Sequence, residues 1–550
     1  MKVITINIPE SGNRSYIVHD NEVAIVIDPS RRYQQIIDAA NATGINVGAV
    51  FETHIHNDYI SGGYSLAKKL NVPYYISSKE RVIFKRKQIE HGQCIKVGSL
   101  KVTALASPGH THHHLSYLVE QPEAIPLLFS GGSLLYGSVG RTDLVSAEAT
   151  RTLAKAQYDT AQYYANYLDP STGLYPTHGF GSFCAVSETE DESASTIKHQ
   201  LITNPVYTTK NKSKFVKDLI SQLDDYPSYY VYMAPENLKG PLEARLDNPK
   251  LLTKESVMKA LHAGAAIVDM RSRLVYAASH LRGTFNIELN DSLATYVGWL
   301  LAWDTPLILV ATTAKEVVDA QEQLSLIGRE ILFGQIRPTK LLGSSDVSTS
   351  FPARKFTDLA KNLKSDGLLI LDVRRRLEWQ KSHIKSAVHI PLHQLSSRLN
   401  EINLDKDVWV YCDSGFRASI GASMISGTGR RVVLVNDNYD EAIKLGLAEA
   451  DKKSAKIVRQ VLDGNAQLLD VRNNSEWKTR HAKNAIHISL PSLLSDNTDA
   501  LIKNTPIYIY CESGNRASMA ESFLSDQGFE AINIGGLNDW VAAGGVTVES

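Results

Sequence analysis

Two stretches near the C-terminal end, DVWVYCDSGFRAS at 407–419 and PIYIYCESGNRAS at 506–518, share an apolar run, a cysteine and then Ser-Gly-x-Arg-Ala-Ser. Duplicated sequence implies duplicated structure, so this repeat constrains the fold more than any other feature. Upstream of each lies a matching block, ILDVRRRLEWQKSHIKSAVHIPL at 370–392 and LLDVRNNSEWKTRHAKNAIHISL at 468–490. A weaker third copy runs from IVDMRSRLVYAASHLRGTFNIEL at 267–289 to PLILVATTA at 306–314, with Ala311 at the cysteine position. The period is about one hundred residues, too long for a solenoid unit and suited to whole domains. Each copy reads strand, exposed loop, strand, helix, strand, loop, helix. That alternation predicts small α/β domains with parallel sheets covered by helices.

Turn-forming and polar residues near Pro241, Ser345–Phe351 and Ala450 divide the 550 residues into units at 1–240, 241–345, 351–450 and 451–550. The composition, 43% hydrophobic and 21% charged, is that of a globular protein. The longest apolar run, Val297–Val310, is broken by Asp304 and Pro306, so no membrane span is expected. Met1 to Val18 alternates like a strand and predicts no signal peptide, which points to the cytoplasm. A net charge of −1 argues against nucleic acid or a membrane surface as partner and leaves small molecules. Four cysteines, Cys94, Cys184, Cys412 and Cys511, show no CxxC spacing, so neither a disulfide framework nor a thiolate zinc site is expected.

Each repeated cysteine follows a strand and precedes a helix expected to start at Ala418 or Ala517. Backbone N–H groups of such a loop and of the helix's first turn converge on the sulfur and favour the thiolate. Gly415 and Gly514 allow the tight curl, and Arg417 and Arg516 add positive charge at the rim. A free cysteine is usually a packing residue, but two loops with Gly and Arg in register argue against that. The loops CDSGFR at 412–417 and CESGNR at 511–516 resemble the Cys-x-x-Gly-x-Arg loop of the rhodanese family, and GGLNDWVAAGGV at 535–546 resembles its C-terminal pattern. The related phosphatases need one more residue between Cys and Arg. The resemblance implies that Cys412 and Cys511 carry a persulfide sulfur, with Arg417 and Arg516 assisting. It also implies that Ser414, Gly415, Ser513 and Gly514 line the sulfur-binding loop. Asp372 and Asp470 are expected to hold the loops in place, and Trp379 and Trp477 to pack. With Ala311 the first copy cannot form a persulfide and is expected to buttress its neighbours.

The first 240 residues lack the repeat and carry histidines instead. In AVFETHIHNDYISGG at 49–63, His54 and His56 lie two apart, on one side of an extended chain, where both can reach one ion. His110 follows in SPGHTHHHLSYLV at 107–119, and His178 in LYPTHG at 174–179. This set resembles the metallo-β-lactamase fold, an αββα sandwich, over residues 1–240. The family motif His-x-His-x-Asp-His ends here in Tyr59, and Gly132 stands where a further Asp ligand is usual. These departures reduce the expected site to one transition-metal ion held by His54, His56 and His110, with Asp58, His178 or water completing the shell. His112, His113 and His114 are either an exposed run or the source of a replacement ligand.

A metallo-β-lactamase domain joined to rhodanese domains resembles the persulfide dioxygenase-sulfurtransferase group, and GSVGRTDL at 137–144 resembles a stretch that helps bind its thiol substrate. Arg141 is then a candidate for a substrate carboxylate, unless it pairs with Asp143 and shapes the loop. The resemblance implies iron as the ion, with zinc the alternative, and oxidation of a small thiol persulfide to sulfite. Thiosulfate would form at the rhodanese loops, possible within a homo-oligomer. Two other readings compete: a thioester hydrolase resembling glyoxalase II, and a non-catalytic persulfide-binding domain ahead of active rhodaneses.

Overall fold

The computed structural model describes residues 1–185, 196–342, 348–363, 365, 367–403, 405–450, 452–512 and 514–548. Ser513 and the expected boundary at 345 lie outside the described residues. The chain forms two compact units, one of residues 1–270 with 288–341 and one of 271–287 with 342–550, so the first repeat copy contributes to both. Among the described residues no helix is long and apolar enough to cross a membrane.

The N-terminal part is built on two sheets. The first takes β1 (Lys2–Ile8), β2 (Asn13–His19), β3 (Val23–Ile27), β4 (Asn46–Phe51), β5 (Tyr74–Ser77) and β6 (Lys87–Ile89) in sequence order. The second takes β7 (Cys94–Val97), β8 (Leu100–Ala106), β9 (Leu115–Glu120), β10 (Leu127–Gly131) and β11 (Gly173–Pro176). Alternation along each strand decides the layers. Tyr16, Val18, Ile25, Ile27 and Phe51 meet Val102, Tyr117, Val119 and Phe129 between the sheets. The intervening Ile17, Ala24, Val26 and Val50 face α1 (Gln34–Thr43) and α2 (Gly63–Leu70) through Ile36, Ala40, Leu66 and Ala67. On the far side, Leu105, Leu118 and Leu128 pack against Ala154, Ala161 and Tyr164 of α3 (Thr150–Tyr167). Both faces of these strands are buried, which explains their unbroken apolar runs. The result is the αββα sandwich the sequence predicts.

The repeat copies form parallel sheets. In the first, Ala266–Asp269 pairs with Leu307–Val310, which pairs with Gly334–Ile336. In the second the order is Ala353–Arg354, Val432–Val435, Asp407–Tyr411, Leu368–Asp372 and Val388–His389, and every neighbouring pair is parallel. In the third it is Ile486–His487, Gln467–Asp470, Ile507–Cys511 and Ala531–Gly536. Cys412 and Cys511 stand at the carboxyl ends of central strands, where open α/β sheets place their sites.

Candidate metal centre and cysteine loops

β4 delivers its C-terminal end into the segment Glu52–Tyr59, and buried Asp28, at the end of β3, fixes that segment. Asp28 accepts the Thr53 N–H and hydroxyl, both at 2.7 Å, and the Thr177 hydroxyl at 2.5 Å. These anchors bring His54, His56, His110 and His178 together, all fully buried, with ring centroids 4.1 Å apart for His54–His56 and 5.3 Å for His110–His178.

Each ring is oriented from behind, as second-shell partners orient metal-binding imidazoles. His110 Nδ1 donates to the Arg141 carbonyl at 2.7 Å, and His178 Nδ1 donates to Asn13 Oδ1 at 2.8 Å. Thr53 spends its hydroxyl proton on Asp28, so its oxygen accepts from His54 Nδ1 at 2.8 Å. His56 turns Nε2 toward Tyr59 Oη at 3.0 Å and Glu52 Oε1 at 3.2 Å. With protons on the outer nitrogens, the lone pairs of His54 Nε2 and His178 Nε2 face each other at 3.3 Å, while His56 Nδ1 and His110 Nε2 are buried without a hydrogen-bond partner among the described residues. Opposed lone pairs and unsatisfied buried nitrogens are costly in isolation and suit a cation between them. The residues therefore fit a transition-metal ion.

The electrostatics agree. Burial, reinforced by the neighbouring imidazoles, drives His54 well below the ordinary histidine range, and burial beside His178 takes His110 to about 3, so both offer lone pairs at neutral pH. Burial would also lower His56, but Asp28 and Glu52 overcome it and hold the imidazolium up to about 10. Two buried carboxylates thus ask for positive charge at this ring, from a proton or from an ion.

Among the described residues, His54, His56 and His178 have ligating atoms within 4.8 Å of one another, and so do His110, His178 and Cys184. A third set, Asp28, Glu52 and His56, lies behind the first. His178 is the shared donor, a more central position than the sequence suggests. Asp58 joins neither of the first two sets; its Oδ2 accepts from Asn13 at 2.9 Å and lies 3.2 Å from His178 Nδ1, so it steadies His178 from behind. Tyr59 packs on the His56 ring at 4.4 Å. Among the three consecutive histidines, His112 is exposed and His113 half-buried, whereas buried His114 accepts the Gly132 N–H at 3.0 Å and bonds Ser107 Oγ at 2.7 Å. His114 is thus saturated and supplies no replacement ligand.

Gly132 has a packing reason: a Cβ there would lie 2.3 Å from His110 Cδ2. At Gly140 a Cβ would lie 2.2 Å from the Gly132 carbonyl and 2.8 Å from His110 Nδ1. His110 fills the space between two glycines. The substrate-carboxylate role expected for Arg141 gives way to a structural one. Its guanidinium is bidentate to Asp143 at 2.7 and 2.8 Å and donates to the carbonyls of Phe183 at 3.0 Å and Asp224 at 2.6 Å, at 3% exposure. Asn57 and Thr111, next in sequence to His56 and His110, line a cavity of about 380 Å³ together with Leu144, Val145, Tyr226 and Tyr230.

In the cysteine loops the helices start two residues earlier than expected, at Phe416 and Asn515, because Gly415 and Gly514 adopt φ of 90° and 96° and turn the chain straight into the helix. That turn aims the Gly415 N–H at Cys412 Sγ, 3.1 Å away, and the Gly514 N–H at Cys511 Sγ, 3.0 Å away. Arg417 does not present free charge at the rim: it is bidentate to Glu378 at 2.6 and 2.7 Å, and Arg516 is bidentate to Glu476 at 2.7 Å twice. Both glutamates sit in the repeated block, beside Trp379 and Trp477, and could have been found there by pairing the copies. Asp372 and Asp470 grip Arg374 and Arg472 through buried ion pairs at 2.7 and 2.8 Å. Trp379 lies between His383 and His389, and Trp477 between His481 and His487.

Comparison with known proteins agrees with this division. Residues 8–182 match the metallo-beta-lactamase superfamily, and residues 355–443 and 454–543 each match the rhodanese-like domain. A hydroxyacylglutathione hydrolase of Dictyostelium discoideum is 36% identical over 136 residues, 24% of this chain and 50% of that protein, so the chain spans about half the length of this curated relative. Among solved structures, a metallo-beta-lactamase from Staphylococcus aureus subsp. aureus COL is similar at TM-score 0.54 and 25% identity, over 62% of this chain and 99% of that one. ETHE1 from Myxococcus xanthus is similar at TM-score 0.37 and 24% identity, over 43% of this chain and 98% of that one. The chain is a fusion of a metallo-β-lactamase superfamily domain with rhodanese-like domains.

Proposed function

We propose that the chain oxidises a low-molecular-weight thiol persulfide to sulfite at its histidine centre and transfers sulfane sulfur at Cys412 and Cys511 to make thiosulfate. The observation that carries this reading is the presence, in one chain, of a histidine cluster fitted to a metal ion and of two cysteines whose sulfurs each receive a glycine N–H. In the first reaction the persulfide, dioxygen and water give the free thiol and sulfite, with the sulfane sulfur oxidised and dioxygen reduced. A bound iron-type ion would supply the open positions and the redox chemistry this requires. The chain's own part is to orient four imidazoles through Thr53, Asn13, Arg141 and Tyr59, and to admit the thiol through the cavity lined by Asn57 and Thr111.

In the second reaction sulfite attacks the outer sulfur of a cysteine persulfide. The S–S bond breaks, thiosulfate leaves, and the cysteine returns as a thiolate stabilised by the Gly415 or Gly514 N–H. Dependence on free thiolates suits the reducing cytoplasm. A second reading, thioester hydrolysis, is favoured by the hydroxyacylglutathione hydrolase relative. Against it stand Tyr59 and Gly132, which supply no second-ion ligands.

Oxygen uptake separates the readings. Iron-loaded protein should consume oxygen with a persulfide substrate, and His54→Ala or His110→Ala should abolish that uptake while leaving thiosulfate sulfurtransfer in place. Thioester hydrolysis by zinc-loaded protein without persulfide-dependent oxygen uptake would favour the second reading.

A further inference from the structure

We propose that Cys184 is a ligand of the metal centre, its thiolate supplying the negative charge that Gly132 leaves out. The inference rests on the metal-binding reading above and not on the identity of the reaction.

Three observations converge on this sulfur. Its Sγ and the ligating nitrogens of His110 and His178 all lie within 4.8 Å of one another, and all three residues are 0% exposed. Among the described residues the buried His110 Nε2 has no hydrogen-bond partner, while Nδ1 is committed to the Arg141 carbonyl, so Nε2 is the nitrogen of this set that can meet an ion beside the sulfur. The same residue, Arg141, holds both donors. Its carbonyl orients His110, its N–H donates to the Cys184 carbonyl at 2.8 Å, and its guanidinium grips the Phe183 carbonyl at 3.0 Å. The stretch 137–144 is thereby explained as the wall that brings His110 and Cys184 to one point.

Charge gives the chemical reason. The imidazole donors themselves are neutral, the carboxylates Asp28 and Glu52 stand with His56 and not in this set, and a carboxylate at position 132 has no space, since its Cβ would meet His110 at 2.3 Å. A thiolate reached from the opposite wall restores an anionic ligand, and two imidazoles with one thiolate suit the borderline-soft ions Zn²⁺, Fe²⁺ and Co²⁺. On binding, the S–H bond breaks, the metal–sulfur bond forms, and one proton passes to solvent.

Cobalt makes the sulfur visible. Full-length protein loaded with Co²⁺ should show a sulfur-to-cobalt charge-transfer band in the near ultraviolet beside the visible ligand-field bands. Cys184→Ser should lose the charge-transfer band and bind cobalt roughly 100-fold more weakly, whereas Cys184→Asp should keep the ligand-field bands without it. X-ray absorption at the cobalt edge of the wild-type protein reads the same bond without a variant and should report one sulfur neighbour at about 2.3 Å. Cobalt bound with no sulfur neighbour, or a charge-transfer band that survives Cys184→Ser, would overturn the assignment and leave the histidine site standing. Failure of the wild-type protein to bind cobalt would overturn the metal reading and this inference together.

Discussion

Glu378 illustrates how a single side chain can hold a cysteine loop in shape. Burial works to raise its carboxyl, but the bidentate bond to Arg417 overrides it and holds it down to about 2, against an ordinary value of 4.5. Because the folded value lies below the unfolded one, the pair's contribution is complete above about pH 4.5 and is lost as the pH falls toward 2. The pair is a quarter solvent-exposed on the Glu378 side, so Glu378→Gln should cost about 2 kcal/mol at pH 7, less than the shift alone implies. That difference should shrink in urea titrations run at successively lower pH, and a constant difference would assign the effect to packing instead. Gly132→Asp tests the other isolated position. It should not recruit a second ion, because the new Cβ drives into His110; metal content measured by elemental analysis should fall below one ion per chain. Among the described residues the two sets that include His178 can serve one ion and not two, since His178 Nδ1 is committed to Asn13 and only its Nε2 lone pair is left.

At the scale of elements, the strand–glycine–helix turn presents the cysteine in each rhodanese-like copy, and the two copies differ in how tightly it is enclosed. A Cβ at position 415 would lie 2.5 Å from Asn436 Oδ1, whereas at position 514 the nearest atom, Gly535 Cα, is 3.2 Å away. Both alanine variants meet the left-handed φ penalty of about 1 kcal/mol. Gly415→Ala adds a steric cost of about 1–3 kcal/mol. It should therefore melt its domain at a clearly lower temperature than Gly514→Ala, and persulfide yield by mass spectrometry should fall more at Cys412 than at Cys511. Periodicity and repetition made these elements readable in the sequence, because alternating apolar residues fix strand faces and the aligned copies fix the loop. Arg141, Cys184 and Asp28 were not readable in the same way. Their roles depend on contacts between segments far apart in sequence, as between Asp28 and Thr177, and no local period records such a contact. The helices begin two residues before the sequence predicts for the opposite reason, a purely local one: glycine's left-handed φ lets the helix begin at once.

Across the whole molecule, the three copies divide into two with cysteine loops and one that has other residues at every corresponding position of the loop. Aligned on the repeat, the first copy has Ala311 for the cysteine, Ala314 for the glycine, Glu316 for the arginine and Val275 for the glutamate that grips it. Ala311→Cys alone should therefore carry no added sulfur, since neither the left-handed glycine turn nor the Arg–Glu pair is present to shape a loop around it. The first copy nevertheless reaches the second: Arg273 Nη1 donates to the Ser414 carbonyl at 3.1 Å and would stand 3.3 Å from a Cβ at position 415. This contact covers one side of the Cys412 loop. Cys511→Ser should accordingly reduce transfer to a small acceptor such as cyanide more than Cys412→Ser does, and the double variant should abolish it. Steady-state thiocyanate release from the three variants, with mass spectrometry of each cysteine, measures both points. If Cys412→Ser proves the more damaging, the covering by Arg273 assists transfer instead of hindering it. Arg273→Ala would then lower the rate through Cys412 while leaving the persulfide yield at Cys511 unchanged.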